Sequence, residues 1–95
     1  MYKRQVIRES ILESDEVFVR TTIAPSSVLN GKKLGDMELA SKTGMWVIAI
    51  KRNGKWIYDM DKNTVLKEGD IVFARGVKEG IEHFSALAEG NEEEI

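Results

Sequence analysis

Residues 45–58 read Met-Trp-Val-Ile-Ala-Ile-Lys-Arg-Asn-Gly-Lys-Trp-Ile-Tyr. Arg52-Asn53-Gly54-Lys55 is the signal of a type I′ turn, because Asn and Gly tolerate the positive φ that both central positions require. A two-residue turn sets the pairing of its strands. Arg52 falls opposite Lys55, Lys51 opposite Trp56, Ile50 opposite Ile57 and Ala49 opposite Tyr58. Under strict alternation Trp56 and Tyr58 share a face with Met45, Val47 and Ala49. Ile57 shares the other face with Trp46, Ile48 and Ile50. Both faces are therefore apolar, whereas a sheet with one wet side alternates apolar and polar residues. This strand has to be covered twice.

The flanking segments supply one cover. Glu16 to Ile23 reads as a strand, with Val17, Val19, Thr21 and Ile23 on one side and Phe18, Arg20 and Thr22 on the other. Pro25 ends it, since proline cannot donate to a ladder. The loop 28–33 turns at Asn30-Gly31. Residues 34–42 read as a short helix that buries Leu34, Met37 and Leu39 or Ala40, stopped by Gly44. After the hairpin, 59–70 is a polar excursion carrying Val65 and Leu66. Residues 71–75 form the last strand, and 77–88 a helix with Val77, Ile81, Phe84 and Leu87 or Ala88 on one stripe. Ahead of this lies 3–13, helical by the spacing of Val6, Ile7, Ile11 and Leu12. A helix that short is marginal alone and has to dock on something. The expectation is an α+β domain, β-α-β-β-β-α, preceded by a short N-terminal helix. Its divisions are an extension at 1–15, the domain at 16–88 and an acidic tail at 89–95. The two helices inside the domain cover one sheet face, and a second copy of the chain is the simplest cover for the other.

Composition narrows the function. The 95 residues are 42% hydrophobic and 32% charged, with a net charge of −2. A balance this close to neutral exerts no general pull on nucleic acid or acidic lipid. The absence of cysteine removes disulfides, thiolate metal sites and cysteine nucleophiles, and suits a reducing cytoplasm. The longest apolar run is far short of the ~20 residues of a membrane helix, so direct membrane insertion is not expected. The start, Met1-Tyr2-Lys3-Arg4-Gln5, has no apolar stretch behind it and is not expected to act as a signal peptide.

Three stretches carry a resemblance: Leu29-Asn30-Gly31-Lys32-Lys33-Leu34-Gly35-Asp36, Gly44 to Arg52, and Thr64-Val65-Leu66-Lys67-Glu68-Gly69-Asp70. In this order and spacing they resemble the signature stretches of the TrkA-C domain, the C-terminal lobe of regulators of potassium conductance. The resemblance covers about residues 16–88. Residues 1–15 are similar to the end of a PhoU-like helical bundle. The resemblance implies the β-α-β-β-β-α fold, homodimerisation through this lobe, and control of a potassium channel or transporter by a small, nucleotide-like ligand in a groove between lobes. Met45, Trp46, Arg52 and Asn53 are the expected groove residues: an aromatic to stack on, a cation and an amide to hydrogen-bond, and an adaptable apolar wall. Members that bind a cyclic dinucleotide often carry a basic residue after the helix leucine and an asparagine before Val-Ile-Ala-Ile. Here Ala40 and Trp46 stand there, which argues against that ligand. The alternative reading is a structural dimerisation module without a ligand.

Other chemistry is thin. Asp59, Asp61, Asn63 and Asp70 follow part of a calcium loop, but Thr64 stands where its glycine belongs and the bidentate Glu is missing. Turn formation accounts for the same residues. His83 is the single histidine, too little for a zinc site without cysteine. No nucleophile elbow, P-loop or dinucleotide fingerprint occurs, so neither enzymatic activity nor a resident metal is expected, and no cofactor is named.

Overall fold

The structure, a computed structural model, describes residues 16–95, so the helix expected at 3–13 lies outside the described residues. The chain forms β1 (Glu16–Thr22), α1 (Leu34–Met37), α2 (Leu39–Thr43), β2 (Met45–Arg52), β3 (Lys55–Ile57), β4 (Ile71–Val77), a 3-10 turn (Lys78–Gly80) and α3 (Ile81–Glu89). The four strands make one antiparallel sheet in the order β1-β4-β2-β3. This is the expected α+β architecture. Phe84 and Leu87 of α3 and Met37 and Leu39 of α1–α2 pack with Met45, Ile50, Val72 and Ala74 of the sheet into one buried cluster. The loop after β1 is tied to α3: the Ser27 hydroxyl donates to the Leu87 carbonyl at 2.7 Å and accepts from the Leu29 amide at 3.0 Å.

The hairpin has the register read from its turn, with Ile50 opposite Ile57, Lys51 opposite Trp56 and Arg52 opposite Lys55. Asn53 has φ 52° and Gly54 φ 78°, as a type I′ turn requires. A Cβ at Gly54 would meet nothing within 4 Å, so a side chain there is opposed by backbone strain alone. Gly54→Val is expected to lower stability by about 1–3 kcal/mol, the range for a β-branched residue at positive φ. The midpoint of urea unfolding reads the effect, and an unchanged midpoint would contradict it.

The face assignment differs from strict alternation. Against β4, Val47 pairs with Ala74 but Ala49 pairs with Phe73, so β2 carries one extra residue between them. A bulge of this kind inverts the alternation beyond it. Met45 is buried and Val47 half-buried before the bulge, and Ile50 is buried after it. Ile57 therefore shares the core face with Ile50 but not with Trp46 and Ile48. Trp56 and Tyr58 do not share a face with Met45. Trp56 stacks on Tyr58 at 5.7 Å and contacts Phe73 at 4.9 Å between ring centroids. With Phe18, Trp46 and Ile48 these rings make the outer face aromatic, and Phe18 is 70% and Tyr58 67% exposed.

Two boundaries also move. The helix expected over 34–42 is broken at Glu38, whose φ of 49° and ψ of 45° are left-handed, so α1 and α2 are separate short turns. The break lets Met37 and Leu39, which one continuous helix would point in different directions, both reach the core. The last strand runs on to Val77, which is exposed at the strand end rather than part of the α3 stripe.

Candidate functional site

A shallow cleft of about 230 Å³ opens where α1 and α2 meet the start of β2. Leu34, Leu39 and Val47 wall it, while Gly35 and Ala40 leave it room. The left-handed turn at Glu38 brings that carboxylate to the rim, and Glu38 is the one titratable side chain in the lining. Met45 lies beneath, fully buried in the core. Trp46, one residue on, points to the outer face because it precedes the bulge, and 52% of it is exposed. The Arg75 guanidinium stands over its ring at 6.0 Å and donates to Glu16 at 3.0 Å. Both members of that ion pair are nearly half exposed, so it orients Arg75 more than it stabilises the fold. The arrangement is suited to binding: apolar walls, one aromatic plane and a carboxylate at the rim.

The structure does not bring the four expected groove residues together. Arg52 and Asn53 lie at the far end of β2, which at ~3.3 Å per residue is about 20 Å from Met45 and Trp46. Asn53 is an exposed turn residue. Arg52 is committed elsewhere. Its Nε and Nη2 donate to the two carboxylate oxygens of Asp70 at 2.8 and 2.7 Å, and Nη2 also donates to the Val65 carbonyl at 2.8 Å. The Asp70 side chain is 2% exposed and also accepts from the Lys67 amide at 2.9 Å. This fork holds Arg52 above its ordinary pKa, chiefly through the hydrogen bonds to Asp70, against the opposing effect of burial. It ties the hairpin to the Val65–Asp70 loop. Asp70 was legible only as a turn residue after Gly69, and no local pattern points to a partner 18 positions away. Glu38, Leu34 and Leu39 were likewise legible as helix residues, not as a cleft.

The calcium-like spacing has a local use. The Asp61 carboxylate accepts from the Asn63 amide at 2.8 Å, closing its own turn, while Asp70 faces Arg52. Among the described residues no group of three or more His, Cys, Asp or Glu is placed to hold a metal, and no helix is long and apolar enough to cross a membrane.

Comparison with known proteins follows the same lines. The chain is 32% identical over 88 residues to "Potassium channel protein 1" of Methanocaldococcus jannaschii, a match that covers 93% of this chain and 26% of that protein. The chain thus spans about a quarter of the length of the channel proteins it matches. Its fold is similar to the regulator of conductance of K+ (RCK) C domain of the potassium transport protein KtrA, solved in complex with cyclic diadenosine monophosphate. That match has a TM-score of 0.66 at 23% identity and covers 87% of this chain and 95% of that one. It is also similar to the RCK_C domain dimer of BusR from S. agalactiae, again solved with that dinucleotide, at a TM-score of 0.70 and 21% identity over 80% of this chain and 94% of that one. The model of the TrkA-C domain matches residues 11–89, which takes in all three signature stretches, the whole sheet and the cleft beside Trp46. With most of its length matched by that model and its strands and helices in the same arrangement, the chain belongs to the TrkA-C domain family.

Proposed function

We propose that this chain is a cytoplasmic regulatory lobe for potassium transport that works as a symmetric homodimer and senses a small ligand beside Trp46. Its functional part is 16–88, with 1–15 as a helical extension and 89–95 as an acidic tail. The observation that carries the reading is the outer face of the sheet. Phe18, Trp46, Trp56 and Tyr58 are each about half exposed or more, and Ile48 and Phe73 join them. Aromatic side chains bury ~150–250 Å² each when fully covered, and these four are about half exposed, so covering them supplies somewhat more than half of the ~800 Å² per partner of a standard interface, with Ile48 and the rest of the sheet face adding to it. An isolated monomer rarely leaves such a patch open. A second copy supplies the same row, and a two-fold axis makes the surface its own complement.

That geometry supports a sensing role. Trp46 belongs both to the outer face and to the cleft, so a ligand in the cleft bears on the surface through which the copies meet. Binding that depends on their relative angle shifts the populations of two arrangements. Moving from mostly one to mostly the other takes about 5.5 kcal/mol of differential affinity. Met45 forms the floor of that cleft. Arg52 and Asn53 stand at the opposite end of β2 and serve any ligand only from there. Nucleic acid and catalysis are outside this reading, and the second reading is a dimer module with no ligand.

Both tryptophans of the chain, Trp46 and Trp56, lie on the proposed seam, and this provides the test. Light scattering at roughly tens of micromolar is expected to give a dimer. Dilution is expected to shift tryptophan emission to the red as the seam opens, and a Trp56→Ser/Tyr58→Ser variant is expected to stay monomeric. A monomeric wild type, or a double variant that dimerises normally, would refute the seam. A thermal-shift screen of nucleotides, cyclic dinucleotides and divalent ions then separates the two functional readings. A sensor is stabilised by some ligand, and Trp46→Ala less so while still dimeric. A ligand-free module gives no shift.

A further inference from the structure

A hollow larger than the cleft beside Trp46 lies on the helical side. It measures about 660 Å³, within the ~300–1,000 Å³ usual for small-molecule sites. Lys32 and Lys33, from the loop that enters α1, and Lys42, from the last turn of α2, line it beside Asp36 of α1 over an apolar floor of Val28 and Met37. The tail supplies the remaining wall through Glu93, Glu94 and Ile95. All three lysines and both glutamates are exposed. The ion pairs among the described residues are Arg52–Asp70 and Arg75–Glu16, so no carboxylate of those residues lies within 4 Å of any of the three ammonium groups. The tail is held by other contacts: Ile95 packs against the core cluster, and Glu92 lies 3.2 Å from His83 of α3.

We propose that this hollow is a binding site for a phosphate-bearing anion, and that the Glu93–Glu94 segment competes for it. With the Glu93–Glu94 segment in place, the carboxylates of Asp36, Glu93 and Glu94 match the three lysines in number. With that segment out, the lysines outnumber Asp36, and a polyanion restores the balance. Lysine ammonium groups approach phosphate oxygens as point charges from several directions, which suits a group with many acceptors and no single plane. The apolar floor accommodates the uncharged body of such a ligand. The tail carries the ligand's sign of charge, so it has to swing out as the anion enters. No lysine contact within 4 Å has to break for that exchange, while the packing of Ile95 and the Glu92 contact to His83 oppose it. The site is separate from the cleft beside Trp46 and does not depend on the sensing role given to it.

The test is calorimetric titration of the whole chain with inorganic pyrophosphate at constant ionic strength set by chloride. Wild type is expected to bind. A Lys32→Ala/Lys33→Ala/Lys42→Ala variant is expected to bind roughly tenfold or more weakly, as the loss of several charge-assisted contacts implies. Glu93→Gln/Glu94→Gln is expected to bind several-fold more tightly. All these positions are exposed, so the variants keep the fold, which circular dichroism checks. No binding by wild type and by the glutamine variant overturns the site. Equal affinity of the lysine variant also overturns it, as does binding that chloride abolishes, which would mark simple counterion attraction. Unchanged affinity of the glutamine variant overturns the competition.

Discussion

Gly76→Ala is expected to cost about 4 kcal/mol or more, the exceptional end of single-substitution effects. Gly76 sits in β4, one of the two strands hydrogen-bonded on both sides, opposite Val17 of β1 and Met45 of β2. Its φ is not positive, so strain in the glycine itself is not the issue. Space is. A Cβ there would collide with the Gly44 carbonyl oxygen and lie 2.8 Å from Met45 Cα and 2.9 Å from the Gly44 carbonyl carbon. All three are backbone atoms, and no rotamer change relieves them. The sheet has to part between β4 and β2, and Met45, fully buried, moves with it. Against a total stability of ~5–15 kcal/mol this endangers the fold. Gly31→Ala is the control: its φ is 83° but a Cβ would meet nothing within 4 Å, so about 1 kcal/mol is expected. Urea midpoints of the two variants measure the difference. A Gly76→Ala midpoint no lower than that of Gly31→Ala would overturn the argument.

Arg52→Ala is expected to lower stability by about 3 kcal/mol, the low end of the ~3–5 kcal/mol for removing one partner of a buried pair. The low end applies because 28% of the Arg52 side chain remains exposed, whereas Asp70 keeps 2%. Without the guanidinium, Asp70 is left buried with the Lys67 amide, and the Val65 carbonyl loses a donor. Arg52→Met/Asp70→Asn is expected to cost less than the sum of its single substitutions, since no uncompensated charge stays behind. Additive losses would mean that the fork contributes little. The pH dependence has a definite sign. A cation whose folded pKa is raised contributes its stability fully below the ordinary pKa and loses it only as pH rises through the folded value. For Arg52 that lies in strong alkali, so titration of its guanidinium leaves stability unchanged across the neutral range.

Much of this molecule was legible in its sequence, and the legible part is local. Asn53-Gly54 determined a hairpin and its register because a two-residue turn leaves the strands no other pairing. The run of turn glycines and apolar segments determined the order of strands and helices. The three signature stretches determined the family. What only the tertiary structure decided depends on contacts far apart in sequence. The bulge after Val47 exists in the pairing of β2 with β4, more than twenty positions downstream, so a period-2 pattern within β2 had no way to register it. That one residue separated Trp56 and Tyr58 from the face of Met45 and Val47 and built the aromatic surface. Arg52 looked like a free cation beside a turn until folding brought Asp70 under it, because burial of a carboxylate demands a partner and the sequence does not say which one answers. The break at Glu38 arose in the same way, from a core that needed both Met37 and Leu39 at the expense of one continuous helix.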